Sequence, residues 1–349
     1  MSDTEIRADL LARLQTAAIL EVATIPPYMV ALLSMKHHAN RGAAENIRSV
    51  MMEEMLHLTL VANLMSSLGG KLQLTGARLP TYPLRMTFQG QAFKDREFDI
   101  ELAPFSREAV RRFMEIELPR AAPIRMELEV ERIVVPGYTI GEFYQSIIDL
   151  LDQLHDSIGD TMFVNPPAKQ ISADYYWSAG GKPIVVTDIE SAKRALNIVI
   201  EQGEGSHGRV ADGDYDYFGQ LFEVAHYYRF KEIEAERRYQ RGDRPDAPPT
   251  GAAMTVDYTA VYPILESPTS AAYSGTPHAL LNDAFNRQYS EMMTHLEEAL
   301  NGNPKLLYVA IMDGMHGLSE LARKMMSEKI QGDALERHGC PTFEWVEAS

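Results

Sequence analysis

The sequence predicts a mainly α-helical fold with a helix bundle at its centre. Apolar residues recur at helical spacing over several long stretches, glycine and proline fall between them, and extended-looking segments are short and few. At 349 residues the chain suffices for one large domain or two ordinary ones, and 45% hydrophobic with 23% charged residues is the balance of a globular protein. We expect a single domain over 1–349, with 71–136 an insertion between helix pairs and 242–349 a C-terminal extension packed on the bundle. No internal repeat or low-complexity tract is evident.

The first 68 residues read as two long helices. Leu10, Leu14, Ala17, Ala18, Ile25, Tyr28 and Leu32 mark the face of the first, which should end near Ala39. Pro26-Pro27 lies inside that pattern and predicts a kink one turn after Glu21. The second should run from about Ala43 to Leu68, where Gly69-Gly70 stops it. The short link between them favours antiparallel neighbours. In 71–136, residues 84–88 and 98–102 read as short strands, and a short helix over 106–117 stops at Pro119. Further helices are expected at about 139–158, 189–206 (capped by Asp188), 216–241, 277–300 and 304–330.

Forty-nine acids against 33 bases give a net charge of −16, which repels phosphate backbones and anionic lipid, so nucleic acid and membrane are poor partners. The lone Cys340 excludes an internal disulfide and a Cys₄ zinc site. The N-terminus lacks a basic leader pattern, and no uninterrupted apolar run reaches ~18 residues. A cytoplasmic location is expected. Nucleophile-elbow, phosphate-loop and dinucleotide motifs are absent from the sequence.

The informative residues are charged ones on apolar lines. In the second helix Ile47, Val50, Val61, Leu64 and Leu68 form a stripe that Glu54 and His57 interrupt, one turn apart on the same face. A buried carboxylate must be paired, protonated or bound to metal. Glu-x-x-His on an inward face is the arrangement of ferritin-like di-metal bundles, and the alternative is a buried hydrogen bond without metal. Glu21 interrupts the stripe of the first helix. His226 follows the line of Phe222, Phe230 and Ile233, with Glu223 one turn before it. Glu142 lies beside an apolar stripe, in line with Gln145, Asp149 and Asp152, as on a solvated face. Glu201 and Glu204 lie one turn apart where Gly203 and Gly205 suggest either a close approach or a plain helix end. Met51, Met52 and Met55 beside Glu54 suit an adaptable apolar pocket.

The segments 20–28 (LEVATIPPY) and 53–58 (EEMLHL) resemble the ferritin-like domain of the iminophenyl-pyruvate dimer synthase type, found in the violacein-pathway imine-coupling enzyme and its relatives. Residues 140–144, 201–205 and 226–230 are similar to later motifs of that family, so the resemblance spans about 8–233. It implies a ferritin-like bundle holding a metal site of Glu21, Glu54, His57, Glu142, Glu204 and His226. Under that resemblance Glu204 is favoured over Glu201, with Glu201 and Glu223 as alternates.

The expected function is a non-haem di-iron oxidoreductase, with manganese as the alternative metal. It would use O₂ on a small organic substrate in secondary metabolism, such as the coupling or oxidation of an amino-acid-derived molecule. Tyr28 and Tyr144 are candidate catalytic residues that would gate or relay electrons. The competing readings are a metal-storage protein without an organic substrate and a bundle with an empty core. A homodimer is the default assembly.

Overall fold

The computed structural model describes residues 1–88, 96–119, 132–133, 139–176, 180–205, 209–213 and 223–347. The predicted helical architecture is borne out. Helix α1 (Asp3–Ser34) begins with a capping box in which Ser2 and Glu5 satisfy each other's backbone N–H groups. It passes through Pro26 and Pro27 and ends at Ser34, earlier than expected. Proline at 27 removes the donor that the Ala23 carbonyl would use, and the Tyr82 hydroxyl donates to that carbonyl at 2.8 Å. From Ala17 onward α1 is buried almost all round. It is long and apolar enough to cross a membrane, but 89% of its most apolar window is buried inside the protein, so packing accounts for its hydrophobicity.

Helix α2 (Arg41–Ser67) returns beside α1. The chain then gives β1 (Leu84–Phe88) and β2 (Arg96–Ile100), paired antiparallel, and helix α3 (Arg107–Ile116), close to the ranges predicted. A two-residue β3 (Arg132–Ile133) adds a parallel edge to β1. Helix α4 (Ile140–Ile158), capped by Thr139, packs on α1, and α5 (Ile189–Glu204), capped by Asp188, packs on α4 and α2. These contacts close a four-helix ring of α1, α2, α5 and α4.

Helix α6 (His226–Glu234) is much shorter than the predicted 216–241. Residues 214–222 lie outside the described residues. Glu223 and Val224 precede the helix, with Val224 bridged to Ala211, so Glu223 and His226 are not partners on one helix turn. Helix α7 (Pro277–Leu300) matches its expected range. The last expected helix divides into α8 (Leu306–Val309), a π-turn over Ala310–Met315, and α9 (His316–Ser327). Helices α7 and α9 pack on α2 and α1, and one hydrophobic cluster runs from Ile6 to Phe343.

Candidate metal centre

Acids and imidazoles from α1, α2, α3 and α6 meet inside this fold. Glu54, His57 and His226 bring one donor atom each within 4.8 Å of one another, and all three are buried. Helical spacing puts Glu21, Thr24 and Tyr28 on one side of α1, facing Glu54 and His57 on α2. Glu117 caps the C-terminus of α3, where Pro119 prevents continuation. His226 opens α6, which packs on α3, and so meets Glu117. An aromatic cluster fixes this junction. Tyr28 stacks edge-on to Phe113 at 4.7 Å, and Phe230 lies 5.3 Å from both rings.

The hydrogen bonds define how each ring is presented. Gln202 donates through Nε2 to the Gly180 carbonyl at 3.2 Å, which leaves its Oε1 facing His57 Nε2 at 2.8 Å. His57 Nε2 therefore carries a proton, and Nδ1 is turned toward Glu21 Oε2 at 3.4 Å and Glu54 Oε2 at 4.0 Å, where a cation could take the place of any proton it holds. Gly180 makes this possible: at φ +100°, a Cβ there would sit 3.0 Å from the Glu53 backbone. On the other side, His226 Nε2 donates to Glu53 Oε2 at 3.0 Å. His226 Nδ1 lies 2.9 Å from Glu54 Oε1 and 3.5 Å from Glu117 Oε2, yet among the described residues it has no hydrogen-bond partner.

Glu54 thus shows one carboxylate oxygen to each histidine. Each half has a terminal acid as well, and each acid is held by a tyrosine: Tyr144 donates a short hydrogen bond to Glu21 Oε1, and Tyr28 donates to Glu117 Oε1 at 2.6 Å. Glu53 is fixed in turn by Arg229, which donates to it at 2.6 Å and also to Asp212, Ser49 and the Val224 carbonyl.

The electrostatics of the metal-free chain are strained by this crowding. Burial pushes the Glu54 carboxyl well above its ordinary range, and the charges of Glu117 and Glu21 add to the rise. Burial also works against Glu21, but the His57 ring, Glu54 and Tyr144 more than offset it and hold its pKa below the usual value. Burial opposes charge on His226, yet Glu117, Glu53 and Glu54 raise its pKa well above that of free histidine. Glu53 is held low because Arg229 and His226 outweigh its burial. Three acids around two imidazoles, with an unbonded ring nitrogen among them, are a donor set that fits divalent cations of intermediate hardness.

These features have a linked pH consequence. A raised His226 pKa stabilises the metal-free fold fully below the ordinary histidine value, and that stabilisation is lost as pH rises through the raised one. The raised Glu54 carboxyl acts in the same direction above the ordinary carboxyl range. The melting temperature of metal-free protein should fall from neutral to alkaline pH, while divalent-metal affinity should rise because cations displace these protons. Melting scans and metal titrations across pH would show both trends, and a flat profile would refute the linkage.

Of the expected site residues, Glu21, Glu54, His57 and His226 converge, and Tyr28 and Tyr144 bond to acids of the cluster. Two expected ligands are placed differently. Glu204 accepts from Thr139 Oγ1 at 2.6 Å and from the Gly141 N–H at 2.9 Å, so it caps α4 instead. Gly141 permits this, since a Cβ there would fall 2.5 Å from the Glu204 carboxylate. Glu142 sits half-buried in the first turn of α4, where an acid suits the positive helix end, and is not one of the group formed by Glu54, His57 and His226. Glu201 is half-buried, and Gly205 simply ends α5 at φ +94°. Glu223 is buried beside Arg229, whose positive charge it reinforces.

Sequence reasoning missed Glu117, Glu53, Gln202 and Arg229. Gln202 continues the buried line of Ala195 and Val199, a signal that was available. Glu117 offered only an acid at a helix C-terminus, against the helix dipole.

The profile of the Ferritin-like family matches residues 14–235. The chain belongs to the ferritin-like family. A ferritin-like protein from Caulobacter vibrioides, known from its crystal structure, is similar in fold, with a TM-score of 0.58 over 97% of each chain at 20% sequence identity. No curated protein matches the chain. The ferritin-like match ends at Ala235 in this sequence, before α7–α9.

A prediction concerns the positioning of His57. Gln202→Leu removes the acceptor that fixes the ring's proton on Nε2. Metal affinity should drop by roughly 10–100-fold while the fold persists. Unchanged affinity in a calorimetric titration would show that Gln202 does not orient the ring.

Proposed function

We propose that this protein is a di-iron oxidoreductase of the ferritin-like family that acts with O₂ on a small organic molecule, within the iminophenyl-pyruvate dimer synthase type. Glu54 carries the proposal, because its two oxygens face two different histidines, each with its own tyrosine-held acid. Glu21, His57 and Glu54 Oε2 would hold one cation, and Glu117, His226 and Glu54 Oε1 the other, with manganese as the alternative to iron. Bound iron would supply the electrons for reducing O₂. The three acids contribute three negative charges, which the four positive charges of two divalent cations more than offset. Tyr144 and Tyr28 hold Glu21 and Glu117 through O–H donors, and burial and neighbouring acids push both phenol pKa values up, so both remain protonated donors at neutral pH.

Anaerobic Fe(II) titration of the metal-free protein should reach close to two equivalents per chain. Saturation at one or none would overturn the two-cation arrangement. Storage without an organic substrate is the competing function, and it predicts sustained O₂ uptake with iron alone together with large assemblies on size exclusion.

A further inference from the structure

The C-terminal helices enclose a second space that the metal cluster does not use. Its α1 wall comprises Val22, Ile25, Pro26 and Met29, a different face from Glu21 and Tyr28. The cavity measures about 80 Å³. Six of the chain's 18 methionines line it: Met29 on α1, Met51 and Met55 on α2, Met292 and Met293 on α7, and Met315 in the π-turn. They come from four separate segments, so no run in the sequence accounts for the gathering. None of the lining side chains among the described residues is charged, so an ion has no counter-charge there. Of the two that carry hydroxyls, Tyr289 has its oxygen fully buried, and Ser319 donates to the Met315 carbonyl at 3.0 Å. A polar guest would lose its hydration without a donor to replace it.

Three backbone irregularities meet at this space. Pro26 lies inside α1. The sequence predicts one helix over 304–330, but residues Ala310–Met315 adopt a π-turn that contributes Ala310, Ile311 and Met315 to the wall. Gly314 lets this turn close on α7, since a Cβ there would meet Met292 Cγ at 2.4 Å. Phe343 also lines the cavity, at φ +54°, a left-handed conformation that bulky residues rarely adopt. The rings of Phe285 and Tyr289 hold it there edge-on, at 4.8 and 5.3 Å. Rare turns and strained backbone recur at functional sites and ligand clamps. Met51, Met292, Ile311 and Met315 are only half-buried, so the entrance lies among flexible side chains.

We propose that this cavity binds a small uncharged aromatic molecule, of one ring, that needs no hydrogen bond. The walls select against charge and against polar groups. Aliphatic walls alone would suit any hydrocarbon, but thioether sulfur is polarisable and makes favourable contacts with aromatic rings. Six thioethers therefore select an aromatic guest over a saturated one. The unbranched methionines also adjust to shape. An engineered apolar cavity of about 150 Å³ admits benzene, so a ring enters this smaller one only as the methionines shift.

Benzene, with cyclopentane as a saturated ring of similar bulk, tests the idea on the full chain labelled at its methionine methyls. Benzene should cause saturable NMR shifts at the six lining methionines and none at Met86 or Met162, which are buried but do not line the cavity. The two probes differ in their aversion to water, so the readout is the ratio of their affinities, compared between the unaltered protein and Met51→Leu/Met315→Leu. Leucine keeps the bulk and removes the sulfur. The benzene-to-cyclopentane ratio should fall roughly two- to ten-fold in the variant, the strength of sulfur–ring contacts. Met55→Leu makes the same comparison from a buried wall should the double change fail to fold. The proposal is overturned by absent or non-saturable shifts, by equal shifts at Met86 and Met162, or by a ratio that leucine leaves unchanged. Binding is read without reference to iron, so failure of the metal assignment would not mimic failure here.

Discussion

The double change Glu54→Ala/His57→Ala is expected to abolish Fe(II) binding altogether. Among the described residues Glu54 is the one acid that faces both histidines, so its loss removes an oxygen from each half of the cluster. His57 supplies Nδ1 to one half, because Gln202 holds the ring's other nitrogen as a donor. What remains is Glu21 on one side and Glu117 with His226 on the other, too few donors in either half to displace the water of a divalent cation. The variant also tests the alternative raised by the Glu-x-x-His motif, a buried hydrogen bond without metal. Anaerobic titration and metal analysis are the readouts, with Glu54→Gln as a shape-preserving control for folding. Stoichiometric binding that survives the double change would remove the metal assignment and with it the proposed oxidase chemistry.

Replacement of Arg229 should give the largest loss of stability. Its guanidinium is buried and bonded to Glu53, Asp212, Ser49 and the Val224 carbonyl, and its pKa is raised because these acids outweigh its burial. Arg229→Met leaves Glu53 and Asp212 as buried acids without their counter-charge. Breaking a buried pair by removing one partner costs about 3–5 kcal/mol. Chemical denaturation should report a loss of that size. Adding Glu53→Gln to Arg229→Met should recover part of it, because one stranded charge is then neutral. A cost below about 1 kcal/mol, the range of exposed pairs, would mean that the network is far more hydrated than its burial indicates. Metal affinity should fall as well, since Glu53 would no longer be held against His226 Nε2.

The legible part of the site was the part written on helical faces. Glu21, Glu54 and His57 each break an apolar line, and an acid on such a line must find a partner inside the protein. His226 was found in the same way, although the helix it was assigned to proved to start at His226 itself. Glu117 left no comparable mark. It sits at the end of the short helix α3, where periodicity has no further turn to compare it with. The resemblance that raised Glu142 and Glu204 set them beside His226, whereas here it is Glu117 at the end of α3 that meets His226. Glu204 is drawn to the exposed N–H of Gly141 and the Thr139 hydroxyl, a local capping interaction that spacing along α5 does not reveal.

By itself the sequence determined the helical bundle, most of its boundaries and the acid and histidine on α2, because these follow from local periodicity, capping and breaker residues. Only the tertiary structure decided which distant groups complete the cluster, which nitrogen each histidine presents, and that α7 and the π-turn enclose a cavity lined by Met51 and Met55. Those outcomes depend on contacts between residues far apart in the chain. Such contacts are set by the docking of whole elements and carry no signature in the spacing of neighbouring residues.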